Sequence, residues 1–332
     1  MSCPDVESTV RIHAQSGNRM KQQEKTEIKN RNNEESEPMK ENVNGSAVKY
    51  IEELSLNAWP SHKIELYDGW LIRFSHNYTY RTNSVEQVGA STIPVEEKIR
   101  YCEKIYHDFG TPCNFKINPL TRPGFDALLS ERDYQIRHVT EVMTADLARM
   151  NLLEPSLREY EFENRLGLPS AVHYLFDEGR EYQGSSSGIT EIAERSEVTV
   201  MLQHVITDEW IQGVFHLNGT CEPVLRRIVP SMFKAIPKKT IVASVEIDGR
   251  MVASGLAICD REYAGIYAIY VSPGSRRRHY ARAVCSTLLR EAKEQGAQKA
   301  YLQVVKGNTA AKNLYLSLGF SDFYTYYFRS KA

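Results

Sequence analysis

The spacing of apolar and polar positions divides the chain into an unpatterned start and two patterned stretches. Residues 1–47 hold no Phe, Trp or Tyr and are rich in Lys, Glu, Asn and Gln, as in Gln22-Gln23-Glu24-Lys25 and Asn30-Arg31-Asn32-Asn33-Glu34-Glu35. Such a segment buries too little apolar area to offset the entropy of ordering, which predicts a disordered tail. Pattern begins near Tyr50, where Tyr50–Leu54 starts a helix that Trp59-Pro60 breaks. Gly69–Phe74 and Thr79–Val85 read as strands. Val95, Ile99, Cys102, Ile105, Tyr106 and Phe109 share one face of a helix over Pro94–Phe109, with Pro94 near its first position and Gly110 as its stop. A strand Asn114–Ile117, a helix Phe125–Leu129 and a strand Val139–Met143 follow.

Residues 151–197 read as a connector. Asn151–Asn164 is a candidate helix, and Gln183-Gly184-Ser185-Ser186-Ser187-Gly188 has the composition of a flexible linker. The second stretch opens with a strand Val198–Leu202 and a helix that carries Trp210. A hairpin spans Ile241–Ile258 and turns at Asp248-Gly249. Next come a buried strand Ile266–Val271 and a helix with Ala281, Val284, Cys285, Leu288, Leu289 and Ala292 on one face. After a strand Ala300–Val305, a last helix presents Ala310, Ala311, Leu314 and Leu318 and ends at Gly319, before a strand Phe320–Phe328. The two stretches repeat one order: strands, helix, Gly, strand, helix, strand. Gly110 aligns with Gly296, Tyr134 with Phe320 and Leu129 with Tyr315. The expected fold is α/β, with domains at 48–150 and 198–332, each a mixed, mostly antiparallel sheet flanked by helices.

The 332 residues carry a net charge of -1, with 25% charged and 42% hydrophobic residues, as in ordinary globular chains. That balance argues against a nucleic-acid partner, which calls for a broad positive face. No apolar run approaches the ~20 residues that span a bilayer, and no apolar segment marks a signal peptide at the N-terminus. Cys3, Cys102, Cys113, Cys221, Cys259 and Cys285 form no CxxC pair or metal-ligand spacing, so they read as free thiols in a reducing, cytoplasmic setting, with no metal.

The chemistry concentrates at Val271-Ser272-Pro273-Gly274-Ser275-Arg276-Arg277-Arg278-His279-Tyr280-Ala281. A strand, a basic turn and a helix N-terminus make a phosphate cradle, because first-turn N–H groups and the helix dipole both favour an anion. A solvated basic turn is the competing reading of the three arginines. The run resembles the CoA-pyrophosphate motif of the GNAT acetyltransferase family, usually R/Q-x-x-G-x-G/A, with Arg276 first and Ala281 last. His279 stands where the family has its first Gly. A second run, Asn308-Thr309-Ala310-Ala311-Lys312-Asn313-Leu314-Tyr315-Leu316-Ser317-Leu318-Gly319-Phe320, resembles the family's N-x-x-A-x-x-L-Y-x-x-x-G-F at each fixed position.

The resemblance implies two acyl-CoA N-acyltransferase-like domains, as in tandem-GNAT proteins, and acetyl-CoA as the acyl donor to an amine by direct transfer in a ternary complex. It implies that Arg276, Arg277, Arg278, His279, Tyr280, Ala281 and Arg282 hold the pyrophosphate. The backbone of Ile269, Tyr270 and Val271 would pair with the pantetheine and polarise the thioester. Asn308 would contact the CoA arm, and Tyr315 would protonate the leaving thiolate as general acid. Glu246, Asp260 and Glu262 are candidate bases, Tyr267 and Tyr270 flank the site, and the helix that carries Trp210 would help line the acceptor side. Cys259 and Cys285 lie on apolar faces and read as inert. The first copy has Leu129 opposite Tyr315 and no arginine in Gln87–Thr92, which makes it a degenerate copy without CoA. Arg81 in the polar run Tyr78–Ser84 is either a carboxylate clamp or part of an exposed strand face. Alternatives to catalysis are a CoA-binding or sensing protein and an interaction module built on the charged tail.

Overall fold

The structure, a computed structural model, describes residues 44–150, 170–177 and 195–332. The tail expected over 1–47 lies outside the described residues as far as 43, as do Asn151–Asn164 and the Gly/Ser stretch at 183–188. Among the described residues, no helix is long and apolar enough to cross a membrane.

Helix α1 (Gly45–Ala58) begins ahead of Tyr50 because its cap, not apolar periodicity, sets its first turn. The Asn44 side chain accepts from the Ser46 and Ala47 N–H groups at 3.1 and 3.4 Å. Strand β1 (Lys63–Tyr67) pairs with β2 (Trp70–Phe74). Apolar patterning misses β1, since its Ile64 and Leu66 face solvent. The run Thr79–Val85 is not a strand: Tyr80–Thr82 is a turn of 3-10 helix, and β3 (Val85–Gln87) starts where that run ends. Asn83 enforces the turn. Its Oδ1 accepts from the Ser75 and Asn77 N–H groups at 2.6 and 3.1 Å, and its Nδ2 donates to the Thr79 carbonyl at 2.7 Å. Such side-chain-to-backbone bonds compete with strand pairing. Helix α2 (Val95–Asp108), β4 (Cys113–Ile117), α3 (Phe125–Glu131) and β5 (Gln135–Asp146) complete the first half. Phe109, expected on the buried face of α2, is its exposed C-cap residue.

The second half comprises β6 (Ser170–Asp177), β7 (Arg195–Gln203), α4 (Asp208–Asn218), α5 (Pro223–Lys234), β8 (Lys239–Ile247), β9 (Arg250–Asp260) and β10 (Tyr263–Val271). It continues through α6 (Tyr280–Glu294), β11 (Lys299–Val305), α7 (Thr309–Ser317) and β12 (Ser321–Lys331). The β8–β9 hairpin turns at Asp248 and Gly249, both at positive φ (51° and 70°), as its two-residue signal requires. Alternation along β9 divides its two faces. Ala253 and Ala257 pack with α6, whereas Leu256 and Ile258 pack with α4 and α5.

The strands form one sheet in the order β1-β2-β3-β4-β12-β5-β11-β10-β9-β8-β7-β6. Pairing is antiparallel except at β3/β4 and β10/β11, the corresponding steps of the two halves. The repeat extends to the turns. The Thr111 N–H reaches the Tyr106 carbonyl (3.0 Å) past Gly110, and the Ala297 N–H reaches Ala292 (2.9 Å) past Gly296. Likewise Tyr134 bonds back to Leu129 (3.1 Å) and Phe320 to Tyr315 (3.0 Å), so Leu129 holds the backbone place of Tyr315.

The two final strands are exchanged. β5 follows β4 in sequence but pairs with β11 over Thr140–Asp146, while β12 pairs with β4 over Cys113–Ile117. β5 and β12 also pair with each other, so each half is closed by a strand from the other. One apolar cluster accordingly joins Met143, Ala145, Leu147 and Met150 of the first half to Leu288, Tyr315, Leu318 and Phe320 of the second.

Candidate active site

β10 runs into the basic turn through a short 3-10 segment, Pro273–Ser275. Arg276, Arg277, Arg278 and His279 are exposed, and among the described residues the three arginines pair with no carboxylate. Arg277 and His279 adopt φ of 60° and 57°, and His279 is the N-cap residue of α6. The first bond of the helical ladder runs from the Ala283 N–H to the His279 carbonyl at 2.9 Å. The N–H groups of Tyr280, Ala281 and Arg282 precede it and belong to the set an α-helix leaves without internal partners. Tyr280 is buried under the turn, Ala281 is half-buried, and Arg282 Nη2 donates to Ser317 Oγ at 2.6 Å, tying α6 to the end of α7.

The left-handed backbone at His279 explains why a Gly suits this position: it reaches that region freely, whereas a Cβ costs about 1 kcal/mol there. His279→Gly is therefore expected to raise the unfolding free energy by about 0.5–1 kcal/mol in denaturant titration. An equal or larger loss would show that the imidazole holds the turn.

Beside the cradle the sheet opens. β10 pairs with β11 only from Tyr263↔Lys299 to Ile266↔Leu302. Beyond that point β11 stays with β5, and β10 stays with β9 through a register shift between Tyr267 and Tyr270. The shift is a β-bulge. Ala268 sits there at φ 51°, and the buried Ser254 Oγ donates to its carbonyl at 3.0 Å. Ile269, Tyr270 and Val271 thus border a gap on the side facing β11. Gly255 lets α6 approach this region, because a Cβ there would lie 2.4 Å from Val284 and 2.8 Å from Ile269.

Asn308 caps α7, its Oδ1 accepting from the Ala311 N–H at 3.3 Å. Of the expected α7 face, Ala311, Leu314 and Leu318 pack inward, but Ala310 is exposed and Tyr315 takes the inward place. Only 8% of Tyr315 is exposed, and its ring packs against Phe320 at 6.1 Å. Burial above all, then the neighbouring Cys285 and Tyr270, pushes its phenol above the ordinary tyrosine range.

On the other side of β10 lies a cavity of about 480 Å³ lined by Trp59, Tyr78, Thr79, Arg81, Val214, Asn218, Thr220, Leu225, Phe233, Tyr267, Ala268 and Tyr270. Trp59 stacks on Tyr267 (5.8 Å, 6°), and Tyr267 shares a 2.6 Å hydrogen bond with Tyr301. The helix that carries Trp210 does line this wall, but Trp210 itself does not. It is buried, donates to the Ala243 carbonyl at 3.4 Å and meets Phe233 edge-on, and α4 supplies Val214 and Asn218 instead. Sequence reasoning also missed Trp59, which read only as part of a helix break, and Phe233, which belongs to no motif.

The candidate bases do not converge here. Asp260 and Glu262 flank the start of β10, at the opposite end from Val271. Asp260 pairs with Lys238 at 2.9 Å and accepts from Asn57 at 2.8 Å, and Glu262 accepts from Tyr50 at 2.5 Å. Glu246 is exposed near the β8–β9 turn and does not line the cavity. Burial pushes the Cys259 and Cys285 thiols up to about 11 and about 12, which keeps both protonated and unreactive.

The first half has a larger cavity, about 680 Å³, at the corresponding step between β3 and β4. Its cradle is filled from within. The Asp68 carboxylate accepts from the Ser91 hydroxyl at 2.7 Å and from the Thr92 and Ile93 N–H groups at 2.9 Å, just ahead of α2. The Ser91 bond first, then the backbone bonds, hold its carboxyl well below the usual range. Glu52, Glu53 and Glu86 line this cavity together with Lys49 and Arg122, and Lys116 pairs with both Glu52 and Glu86.

Residues 207–320 match the model for the acetyltransferase (GNAT) family. This part of the chain is a GNAT acetyltransferase domain. The chain is 24% identical over 289 residues to the "uncharacterized N-acetyltransferase YobR" of Bacillus subtilis (strain 168), covering 86% of this chain and 98% of that protein. In fold it resembles a GCN5-related N-acetyltransferase from Kribbella flavida (TM-score 0.54, 14% identity, 85% of this chain and 95% of that one). It also resembles a conserved protein of unknown function from Staphylococcus epidermidis ATCC 12228 (TM-score 0.51, 12% identity, 82% and 94%). The likeness in fold thus extends well beyond the GNAT domain and takes in the first half.

Proposed function

We propose that this protein is an acetyl-CoA-dependent N-acetyltransferase that passes the acetyl group directly to an amine in a ternary complex, using the second-half site. The observation that carries the reading is β10 itself: one strand bears the bulge, contributes Ala268 and Tyr270 to the cavity, and leads into the basic turn. Arg276, Arg277 and Arg278, with the first-turn N–H groups of Tyr280, Ala281 and Arg282, would hold the pyrophosphate. The unpaired edge of Ile269, Tyr270 and Val271 would take the pantetheine as an added strand. A backbone N–H in that stretch would polarise the thioester carbonyl. The amine nitrogen attacks that carbonyl, the C–N bond forms and the C–S bond breaks. The leaving sulfur takes the Tyr315 proton, the proton lost by nitrogen goes to solvent, and solvent returns a proton to the Tyr315 phenolate before the next turnover.

The cavity walls contain no carboxylate or imidazole among the described residues. The amine must then arrive neutral. At pH 7 that costs about 4–5 kcal/mol for a lysine-like amine but only about 1 kcal/mol for an α-amino group of pKa ~8. The acceptor that fits is an amine of low pKa. The first half, with Asp68 in its cradle, would serve as a wall of the acceptor site and not as a second donor site.

Calorimetric titration with acetyl-CoA tests the donor side. One site per chain is expected, weakened at least ~10-fold by Arg276→Glu, since charge-assisted hydrogen bonds are at stake. Two sites would overturn the reading of the first half, and no binding would overturn the proposal.

A further inference from the structure

We infer that the acceptor carries a carboxylate, held by Arg81, next to an apolar or aromatic group held among Trp59, Tyr78 and Phe233; this rests on the acetyl-transfer reading. Arg81 lines the 480 Å³ cavity and is half-buried. Its Nη1 donates to Gln303 Oε1 at 2.6 Å, and that same oxygen accepts from the Tyr326 hydroxyl at 2.8 Å. Gln303 Nε2 in turn donates to Ser55 Oγ at 2.8 Å. The guanidinium is therefore anchored from β11, β12 and α1, in place before any ligand binds. Its anchor is neutral, and among the described residues Arg81 pairs with no carboxylate. The other polar side chains of the cavity wall are Thr79, Asn218, Thr220 and the tyrosines, so among the described residues Arg81 is the sole cationic or anionic side chain lining it.

A half-buried cation without a counter-ion gives up part of its solvation, here for one hydrogen bond to a neutral amide. A ligand carboxylate would supply the missing charge, and a guanidinium fork matches a carboxylate in two parallel bonds. A single guanidinium balances one negative charge, which favours a monocarboxylate over a phosphate dianion. The remaining wall is aromatic and apolar, and the volume suits a small molecule and not a protein surface. The carboxylate, the amine and the apolar group meet in one class: small α-amino acids or related amino carboxylates with an apolar side chain, whose amine is still easier to neutralise than a lysine-like one. Arg81 belongs to the first half and Ala268 to the second, so the half without a donor cradle supplies the acceptor specificity.

Matched acceptors test this: phenylalanine, phenylalaninamide and phenethylamine, and the same trio for leucine, assayed for CoA release with the full chain. Per neutral amine, the acids should exceed their amides in kcat/KM by about 10- to 100-fold, the range set by a charge-assisted contact. Arg81→Gln should erase that preference mainly by raising KM for the acids, and Arg81→Lys should keep part of it, with acetyl-CoA affinity measured alongside to establish folding. Amides or amines used as well as the acids, or a preference that survives in Arg81→Gln, would overturn the inference. So would turnover confined to phosphate-bearing amines. Absence of any turnover, together with no carboxylate-dependent thermal shift of the acetyl-CoA-bound chain, would overturn it as well. Failure of acetyl-CoA to bind is read separately by calorimetry and speaks to the donor side.

Discussion

Replacing Tyr315 by Phe is expected to lower kcat by about 10²–10⁴-fold while leaving acetyl-CoA affinity nearly unchanged, because a general acid acts only as the C–S bond breaks. The substitution removes one oxygen from a ring that otherwise packs against Phe320 within the shared core, so folding should survive. The pH profile distinguishes this role from simple packing. The phenol lies above the ordinary tyrosine range, so it stays protonated through alkaline conditions. The rate should rise with pH as the amine loses its proton and should show no descending limb up to about pH 10. Unchanged turnover in Tyr315→Phe, or a descending limb near pH 8, would remove Tyr315 from the mechanism.

A fragment limited to residues 198–332 is expected not to fold, although it contains the whole stretch that matches the family. It lacks β5, which pairs with β11 from Thr140 to Asp146, and it lacks Met143, Leu147 and Met150 from the apolar cluster around Tyr315. Burying a side chain of that size contributes roughly 1.5–3 kcal/mol, and domains are stable by only about 5–15 kcal/mol. The three side chains together, about 4.5–9 kcal/mol, are comparable to that margin, and the loss of every β5–β11 hydrogen bond adds to them. Circular dichroism should show no cooperative melt for the fragment alone. Co-expression with residues 44–150 should restore one. A sharp transition for the isolated fragment would mean that β5 is dispensable to the second half.

Much of this architecture is written in local pattern. The apolar runs of β10, α6 and β11 show directly in the sequence, as do the stops at Gly110, Gly296 and Gly319, because each follows from the periodicity or φ preference of a few neighbouring residues. The repeat was legible too: the pairing of Tyr134 with Phe320 and of Leu129 with Tyr315 reappears as matched backbone hydrogen bonds. What pattern does not carry is partnership at a distance. Nothing in Val139–Met143 indicates that it pairs with β11 and not with β4. Arg81 and Gln303 lie 222 positions apart and meet only through that exchange. The 3-10 turn at Tyr80–Thr82 was hidden by its β-branched and aromatic residues, since the deciding bonds belong to Asn83. The candidate carboxylates failed for a simpler reason. Asp260 and Glu262 are close to the site in sequence, but a strand as long as β10 carries its two ends far apart.

The exchanged strands also impose an order on biosynthesis. β12 is translated after every other strand of the sheet, yet it is the neighbour that β4 needs. The half made first therefore leaves the ribosome with β4 as an open edge and β5 without its eventual flanking strands. Both must wait while the second half is synthesised. During that interval the nascent chain exposes unpaired strand edges, the state in which proteins are most prone to aggregate or to engage chaperones.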